Sequence, residues 1–207
     1  LPVMMWIHGG GLSAGYSYEM EFDGEAIAKR GVILVTVGYR LGSIGFFTHP
    51  EITRKNPLGV SGNNTLLDHV QAMKWLRENI ASFGGDPGNI LIFGQSGGAA
   101  AVMAHLASPV SRQYFDKAII MSSPSGLDTR PGIFQHSLAE NEDWGVKTCT
   151  ALNKTLDELY ELSGEELFNA LSQATRSLGG RADMAVDGWF LTESFAQACE
   201  KGRIADI

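Results

Sequence analysis

The feature that most constrains this 207-residue chain is a serine flanked by glycines, set between an apolar run and a run of small residues. Residues 89–93 read NILIF, residues 94–98 read GQSGG, and residues 99–104 read AAAVMA. This order predicts a buried strand, a sharp turn and a helix, with Ser96 at the tip of the turn. A strained turn of this kind pushes the hydroxyl out of the sheet, and the glycines leave room for it. The alternative is a glycine turn whose serine caps the helix.

A second glycine cluster follows another predicted strand. Residues 1–7, LPVMMWI, lead into His8-Gly9-Gly10-Gly11. Three glycines in a row let backbone N–H groups approach a negatively charged oxygen without interference from a Cβ atom. Acyl transfer needs a nucleophile and such donors around one carbonyl group, at the carboxyl ends of parallel strands where open sheets bind ligands. Taken alone, the run could be a flexible loop, but its pairing with the serine turn favours catalysis.

Strand and helix patterns alternate along the first part of the chain. Strands are predicted at 3–7, 32–37, 89–93 and 117–121, with a short helix at 23–30 and a longer one at 65–83. This alternation predicts a mostly parallel sheet with helices on both faces. From residue 138 onward, helices rich in leucine and glutamate are predicted, with few strand signals until 184–191.

The composition fits one soluble globular unit, with 44% hydrophobic and 19% charged residues. A net charge of −7 argues against nucleic acid and anionic membranes as partners. No apolar run is long enough to span a bilayer. Two cysteines, Cys149 and Cys199, show neither metal-ligand spacing nor a disulfide-rich pattern.

The chain resembles the type B carboxylesterases, the group of α/β-hydrolases that includes the cholinesterases. The resemblance is carried, besides the serine turn, by Trp6-Ile7-His8-Gly9-Gly10-Gly11, Tyr39-Arg40-Leu41-Gly42 with Gly45-Phe46, Leu66-Leu67-Asp68 with Ala72 and Trp75, and Asn79-Ile80 with Phe83-Gly84-Gly85-Asp86-Pro87. It implies an α/β-hydrolase fold truncated at both ends. The nucleophile-bearing core covers about 1–124, and a helical, cap-like region covers about 125–207, entered by a loop at 124–131. The likeness is looser in that second region, where it rests on residues 186–189.

The resemblance also implies an activity and a site. Ser96 corresponds to the nucleophile of a carboxylic-ester hydrolase that acts through an acyl-enzyme, and Gly10, Gly11 and Gly97 correspond to the donors of the oxyanion hole. The implied partner is a small-molecule ester, and neither a cofactor nor a metal is implied. A lipase, an amidase or a carbamate hydrolase would use the same residues.

The rest of the catalytic triad is not expected in this chain. In the family, the acid follows a strand that should begin after Ile207, and the histidine comes later still. His136, with Asp128 before it, has the right nominal order after Ser96 but precedes that strand, so a surface or loop role is the better interpretation. Because Leu1 begins inside a predicted strand, we expect a central piece of a longer polypeptide, inactive or nearly so alone. Oligomeric state and compartment, cytoplasmic or secreted, stay open.

Several positions depart from the family pattern. Gln95 stands where glutamate is common, Gly97 replaces alanine, and Thr65 replaces a glycine, where it could cap a helix together with Asp68. His69 replaces a glutamine, and we expect a structural role for it.

Other residues are assigned structural roles. Arg40 and Asp68 are expected to form a buried salt bridge, and His105 is expected to be structural. The partner of a loop disulfide that begins near Cys149 in secreted relatives is absent, so both thiols are predicted to be free. Trp6, Trp75, Phe46 and Phe47 are either ordinary packing residues or the lining of an acyl pocket.

Two functional interpretations other than an active esterase remain open. One is a non-catalytic, cholinesterase-like binding module, whose usual mark is loss of the nucleophile. The other is an inactive truncated esterase, which would keep only the weak acceleration of an oxyanion hole.

Overall fold

A four-stranded parallel sheet organises the first half of the molecule. The computed structural model describes residues 1–123 and 136–207, so Asp128 and the whole of the predicted loop at 124–131 lie outside the described residues. The strands are β1 (Val3–Ile7), β2 (Ile33–Val37), β3 (Ile90–Gln95) and β4 (Lys117–Met121), in the spatial order β2-β1-β3-β4.

The two inner strands deliver the glycine-rich segments to the same edge of the sheet. β1 pairs with β2 on one side and with β3 on the other, so that Met5 lies opposite both Val35 and Ile92. At the carboxyl end of this ladder Ile7 is paired with Gly94. The segments that follow β1 and β3 therefore leave the sheet side by side.

Five helices accompany this sheet: α1 (Glu25–Ala28), α2 (Gly42–Phe46), α3 (Pro50–Lys55), α4 (Asn64–Asn79) and α5 (Gly97–Ala107). Short 3₁₀ turns occur at Met20–Phe22 and Ile80–Phe83. All eleven residues of α5 are buried. A helix that is apolar on every side belongs in the interior, and its run of alanines lets the backbone approach β3 and β4 closely.

The second part of the described chain is mainly helical. It contains β5 (His136–Ser137), α6 (Leu138–Leu152), α7 (Leu156–Tyr160), α8 (Gly164–Leu178), β6 (Ala185–Val186) and α9 (Phe195–Glu200). Each of the four helices begins with a capping box. β5 pairs with β6, α6 packs on α8, and α9 packs on α5, which joins this region to the sheet layer.

The strand predictions hold for the sheet and fail once outside it. The strands at 3–7 and 117–121 are confirmed, and those at 32–37 and 89–93 are confirmed with ends displaced by one or two residues. The strand predicted at 184–191 is wrong, because only Ala185–Val186 is extended and paired. There the Asp187 carboxylate accepts hydrogen bonds from the N–H groups of the three residues 189–191 and turns the chain.

Both predicted helices are present in the structure, with different bounds. The helix predicted at 65–83 is α4 followed by a 3₁₀ turn, and it ends at Gly84 with φ of 80°. The helix predicted at 23–30 shrinks to α1. None of the helices within residues 1–123 and 136–207 combines the length and the apolar character that crossing a bilayer demands.

The predicted cap by Thr65 and Asp68 is wrong. The N-cap of α4 is Asn63, with φ of 55° and no side-chain cap. Thr65 instead donates its hydroxyl to the carbonyl oxygen of Arg40 at 2.5 Å, and Asp68 binds the Arg40 side chain. That ion pair is confirmed, with Nη2 and Oδ1 2.6 Å apart, but it is not buried: 48% of the Arg40 side chain and 26% of the Asp68 side chain are exposed.

Candidate active site

Ser96 occupies a strained turn between β3 and α5. Its φ of 55° and ψ of −121° lie outside the regions that L-residues favour. Such strain persists only where the surroundings impose it, and it is common at functional sites. Ser96 is the N-cap of α5, yet its hydroxyl makes no capping hydrogen bond. The alternative in which this serine simply caps the helix is therefore wrong.

Two glycines hold this turn against β1. A Cβ atom added to Gly98 would lie 2.1 Å from the carbonyl oxygen of Ile7, and one added to Gly94 would lie 2.5 Å from the carbonyl of Gly98. Real Cβ atoms do not approach other atoms this closely. On the other side, the Ser96 N–H donates to the carbonyl oxygen of Met121 at 3.0 Å. The turn is thus fixed from both neighbouring strands.

The glycine loop, residues 8–11, is a compact turn beside it. Gly10 and Gly11 have φ of 97° and 60°. The carbonyl oxygen of Gly10 accepts hydrogen bonds from the N–H groups of Ser13 and Ala14. A Cβ atom on Gly10 would lie 2.1 Å from the carbonyl oxygen of Ala14. Only glycine fits this position, for both conformational and steric reasons.

The glycine loop and the serine turn lie in direct contact. A Cβ atom on Gly97 would lie 2.9 Å from the backbone nitrogen of Gly11 and 2.8 Å from that of Leu12. A Cβ atom on Gly9 would lie 3.5 Å from the Cβ of Ser96. Within residues 1–123 and 136–207, the N–H groups of Gly10, Gly11 and Gly97 have no hydrogen-bond acceptor. The structure thus brings together the four residues singled out in the sequence and leaves three donors available.

Three of the five histidines make contacts away from the Ser96 hydroxyl. His8 contacts Tyr39 and the carbonyl oxygen of Gly9, and His49 caps α3. His136 lies in the β5–β6 ladder, where its N–H donates to Met184. Among the described contacts of these residues, none reaches Ser96.

The remaining two histidines form a buried pair that sequence reasoning missed. His69 Nδ1 and His105 Nε2 are 3.1 Å apart, and both side chains are fully buried. Burial lowers the pKa of both rings, that of His105 to about 3. The outer nitrogens, His69 Nε2 and His105 Nδ1, have no partner among the described residues. The spacing of His69 from the buried Leu66 and Met73 on α4 was the available signal.

Arg181 links the helical region to the glycine loop. Its guanidinium donates from Nη2 to the carbonyl oxygen of Gly11 at 3.1 Å and from Nη1 to that of Ala182 at 3.1 Å. The Asp183 carboxylate lies 3.4 Å from Nη2, and only 15% of the Arg181 side chain is exposed. Sequence reasoning did not find this residue, because the contact spans 170 positions and has no local pattern.

The four aromatic residues considered for an acyl pocket differ in how far their side chains are buried. Trp6 packs on Phe93, and Phe46 is fully buried, as packing residues are. Trp75 is 44% exposed. Phe47 lines a largely aliphatic cavity of about 420 Å³, and none of the residues that line it belongs to the glycine loop or the serine turn.

A second cavity, of about 620 Å³, is lined by Ser13, Arg181 and residues of α2 and α8. Its lining reaches the glycine loop through Ser13 and Arg181, whose side chains both donate to the carbonyl oxygen of Gly11. Within the described part of the chain, no three His, Cys, Asp or Glu side chains form a metal-binding group. Cys149 and Cys199 are free thiols, as predicted.

A parallel sheet with helices packed around it, and a glycine-flanked serine at its carboxyl edge, define an α/β-hydrolase. Residues 1–204 match the model of the Carboxylesterase family, and the chain belongs to that family.

Individual relatives agree with this placement. The chain is 48% identical over 122 residues to fumonisin B1 esterase of Sphingopyxis macrogoltabida, covering 59% of this chain and 23% of the relative. It is 40% identical over 174 residues to para-nitrobenzyl esterase of Bacillus subtilis strain 168, covering 84% of this chain and 34% of the relative. A solved structure described as a thermophylic PNB esterase superposes with a TM-score of 0.84 at 33% identity, over 98% of this chain and 41% of that one. The chain thus spans about a third or less of the length of the two curated relatives.

Proposed function

We propose that this chain is the nucleophile-bearing part of a serine-dependent carboxylic-ester hydrolase. The observation that carries the proposal is the contact of Gly97 with Gly11 beside a strained Ser96. Three N–H groups without acceptors among the described residues, on two converging segments, form a site for the charge that builds up on a carbonyl oxygen during acyl transfer.

The reaction follows from these assignments. The Ser96 hydroxyl oxygen attacks the ester carbonyl carbon while a general base takes its proton, and the N–H groups of Gly10, Gly11 and Gly97 stabilise the oxyanion. The carbon–oxygen bond to the alcohol breaks, and the alcohol leaves with the proton. Water then attacks the acyl-enzyme, releasing the acid and restoring Ser96. No metal or cofactor takes part in these steps.

The general base and its acid partner are proposed to lie outside this chain. The histidines of the described residues have structural contacts, and the segment is short compared with its relatives. On its own the 207-residue chain would then keep only the modest acceleration that oxyanion stabilisation supplies. Small-molecule esters, of the kind that give the relatives their names, are the proposed substrates.

Covalent trapping tests the proposal. The full-length protein is treated with an aryl alkylphosphonate, and the labelled peptide is identified by mass spectrometry. We expect one adduct, on Ser96, and none in the Ser96→Ala variant. Absence of an adduct on Ser96 in the wild-type protein would contradict the proposal.

A parallel assay separates the alternatives. Hydrolysis of a short-chain aryl ester is measured with the full-length protein and with the 207-residue chain. Activity confined to the full-length protein supports the proposed division of the triad. Activity in neither points to a non-catalytic binding module, and high activity in the 207-residue chain would show that a base lies within it.

A further inference from the structure

The cavity of about 620 Å³ beside the glycine loop has a cationic lining on an acidic protein. Its charged lining residues are Arg40, Arg176 and Arg181, and no aspartate or glutamate lines it. The rest of the lining is partly aliphatic, with Leu41 and Ile44 from the α2 segment and Leu171 from α8 among its members. The cavity therefore combines an apolar wall with positive charge.

The three arginines differ in how far their charge is compensated. Arg40 is bound to Asp68, with Nη2 and Oδ1 2.6 Å apart. Arg181 lies 3.4 Å from Asp183 and also donates to Gly11. Arg176 is exposed in the last turn of α8, and within the described ranges no carboxylate lies at ion-pair distance from it. The excess positive charge of the cavity therefore sits on Arg176.

The cavity lies close enough to the reaction site to hold part of a substrate. Arg181 Nη2 is 3.1 Å from the carbonyl oxygen of Gly11. The three bonds from that oxygen to the Gly11 nitrogen add about 4.2 Å at most, and a hydrogen bond to an oxyanion adds about 2.9 Å. The reacting carbonyl oxygen is then no more than about 10 Å from this guanidinium. Subtracting about 2.9 Å for an ion-pair hydrogen bond leaves about 7 Å, which about three methylene groups span.

We propose that this cavity binds a free carboxylate on the ester substrate, so that the protein prefers anionic esters over neutral ones of the same length. The proposal rests on the function proposed above. Arg176 and Arg181 would pair with the carboxylate, for which the guanidinium fork is well shaped, and Leu41, Ile44 and Leu171 would contact the intervening carbon chain. The carboxylate belongs either to the acyl part or to the alcohol part of the ester, and the experiment distinguishes the two.

Kinetic comparison of matched esters tests the preference. In the acyl arm, 4-nitrophenyl hemiglutarate is compared with 4-nitrophenyl valerate, and in the alcohol arm 3-acetoxypropanoate is compared with propyl acetate. We expect a higher kcat/KM for the anionic ester in one arm. Arg176→Gln should lower that value by about two- to fivefold, the upper part of the range for an exposed ion pair, and leave the neutral ester unchanged. Arg112→Gln, an exposed arginine outside the lining of this cavity, is the matched control and should change neither.

A binding measurement separates failure of this proposal from failure of the proposed function. Glutarate is titrated calorimetrically into the wild-type protein and into Arg176→Gln. Weaker binding by the variant, together with phosphonate labelling of Ser96 and the kinetic preference, supports the proposal. Equal kcat/KM for anionic and neutral esters in both arms overturns it, even where Ser96 is labelled. Glutarate binding without Ser96 labelling also overturns it, because the cavity would then bind an anion that is not a substrate.

Discussion

At the scale of single residues, the buried pair His69 and His105 is the most unusual chemistry outside the site. Whichever ring donates the hydrogen bond between them, one outer nitrogen remains a donor and the other an acceptor, and neither has a partner among the described residues. Leaving buried polar groups unpaired costs about 1–3 kcal/mol each. The pair is therefore a local weakness in an otherwise apolar interface between α4 and α5.

We expect this pair to make the protein sensitive to mild acid. Burial lowers the folded-state pKa of both rings, so the unfolded state binds protons first, and stability falls as the pH drops below the ordinary histidine value near 6.5. With a folded pKa of about 3, His105 contributes a loss of about 2 kcal/mol between about pH 7 and pH 5. His69→Gln should reduce the loss of unfolding free energy over this range, measured by urea denaturation.

His136→Gln is the control, because that half-buried side chain lies away from the pair in the β5–β6 ladder. It should leave the pH dependence as in the wild type. An equal acid sensitivity in wild type and His69→Gln would contradict the prediction.

At the scale of elements, Arg181 joins two parts of the chain that are far apart in sequence. The segment between α8 and β6 carries it, and Asn141 on α6 fixes that segment by exchanging two hydrogen bonds with the backbone of Asp183. From this support, Arg181 reaches the carbonyl oxygen of Gly11. The helical region thus helps to fix the orientation of the glycine loop.

Arg181 should accordingly act as a positioning residue. On a neutral aryl ester, Arg181→Met should lower kcat by about tenfold, the value of one hydrogen bond from a charged donor, with a smaller change in KM. Arg181→Lys should recover part of the loss, because its ammonium group can still donate. Hydrogen exchange of the peptide that covers residues 8–15 should be faster in Arg181→Met.

Arg203→Met is a matched control, since Arg203 is 66% exposed and its partner is Glu193. If hydrogen exchange in residues 8–15 is as slow in Arg181→Met as in the wild type, Arg181 does not position the glycine loop.

The strands of the sheet and the proximity of the two glycine-rich segments could be predicted from sequence, whereas the contacts that support them could not. β1, β3 and β4 are apolar runs with clear ends, and a Cβ atom would collide with its surroundings at Gly10, Gly94, Gly97 and Gly98. A local sequence pattern predicts local structure and not contacts between distant residues. The His69–His105 pair and the Arg181–Gly11 contact join residues 36 and 170 positions apart, so nothing in the neighbouring sequence indicates them. The cap at Thr65 failed for the same reason, because the tertiary contact with Arg40 prevailed.

At the scale of the whole molecule, the sheet has two outer strands that differ in character. β2 is half-buried throughout, whereas β4 exposes Ile119 and Ile120, each at 41%. An exposed apolar strand edge is a template for pairing with another chain. In the described part of the chain, Lys117 is the only charged residue of β4, at its first position.

We therefore expect the 207-residue chain, produced alone, to associate through β4. Ile120→Lys should lower the light scattering of concentrated samples, because a charged side chain on an edge strand opposes pairing. If further chain covers β4 in the full-length protein, the same change should instead destabilise the fold there, measured as a lower Tm. Ile204→Lys, at an exposed position outside the sheet, serves as the control. A scattering signal that is the same for Ile120→Lys and the unaltered chain would rule out association through this edge.

The burial of all eleven residues of α5 has a consequence for how such a protein can change over evolution. The helix that follows Ser96 has no solvent-facing side on which neutral substitutions can accumulate, and its alanines leave little space for larger side chains. If the proposed function holds, new substrate preferences would arise mainly through mutations in α2 and α8, whose residues line the neighbouring cavity, while the helix behind the proposed nucleophile stays nearly constant.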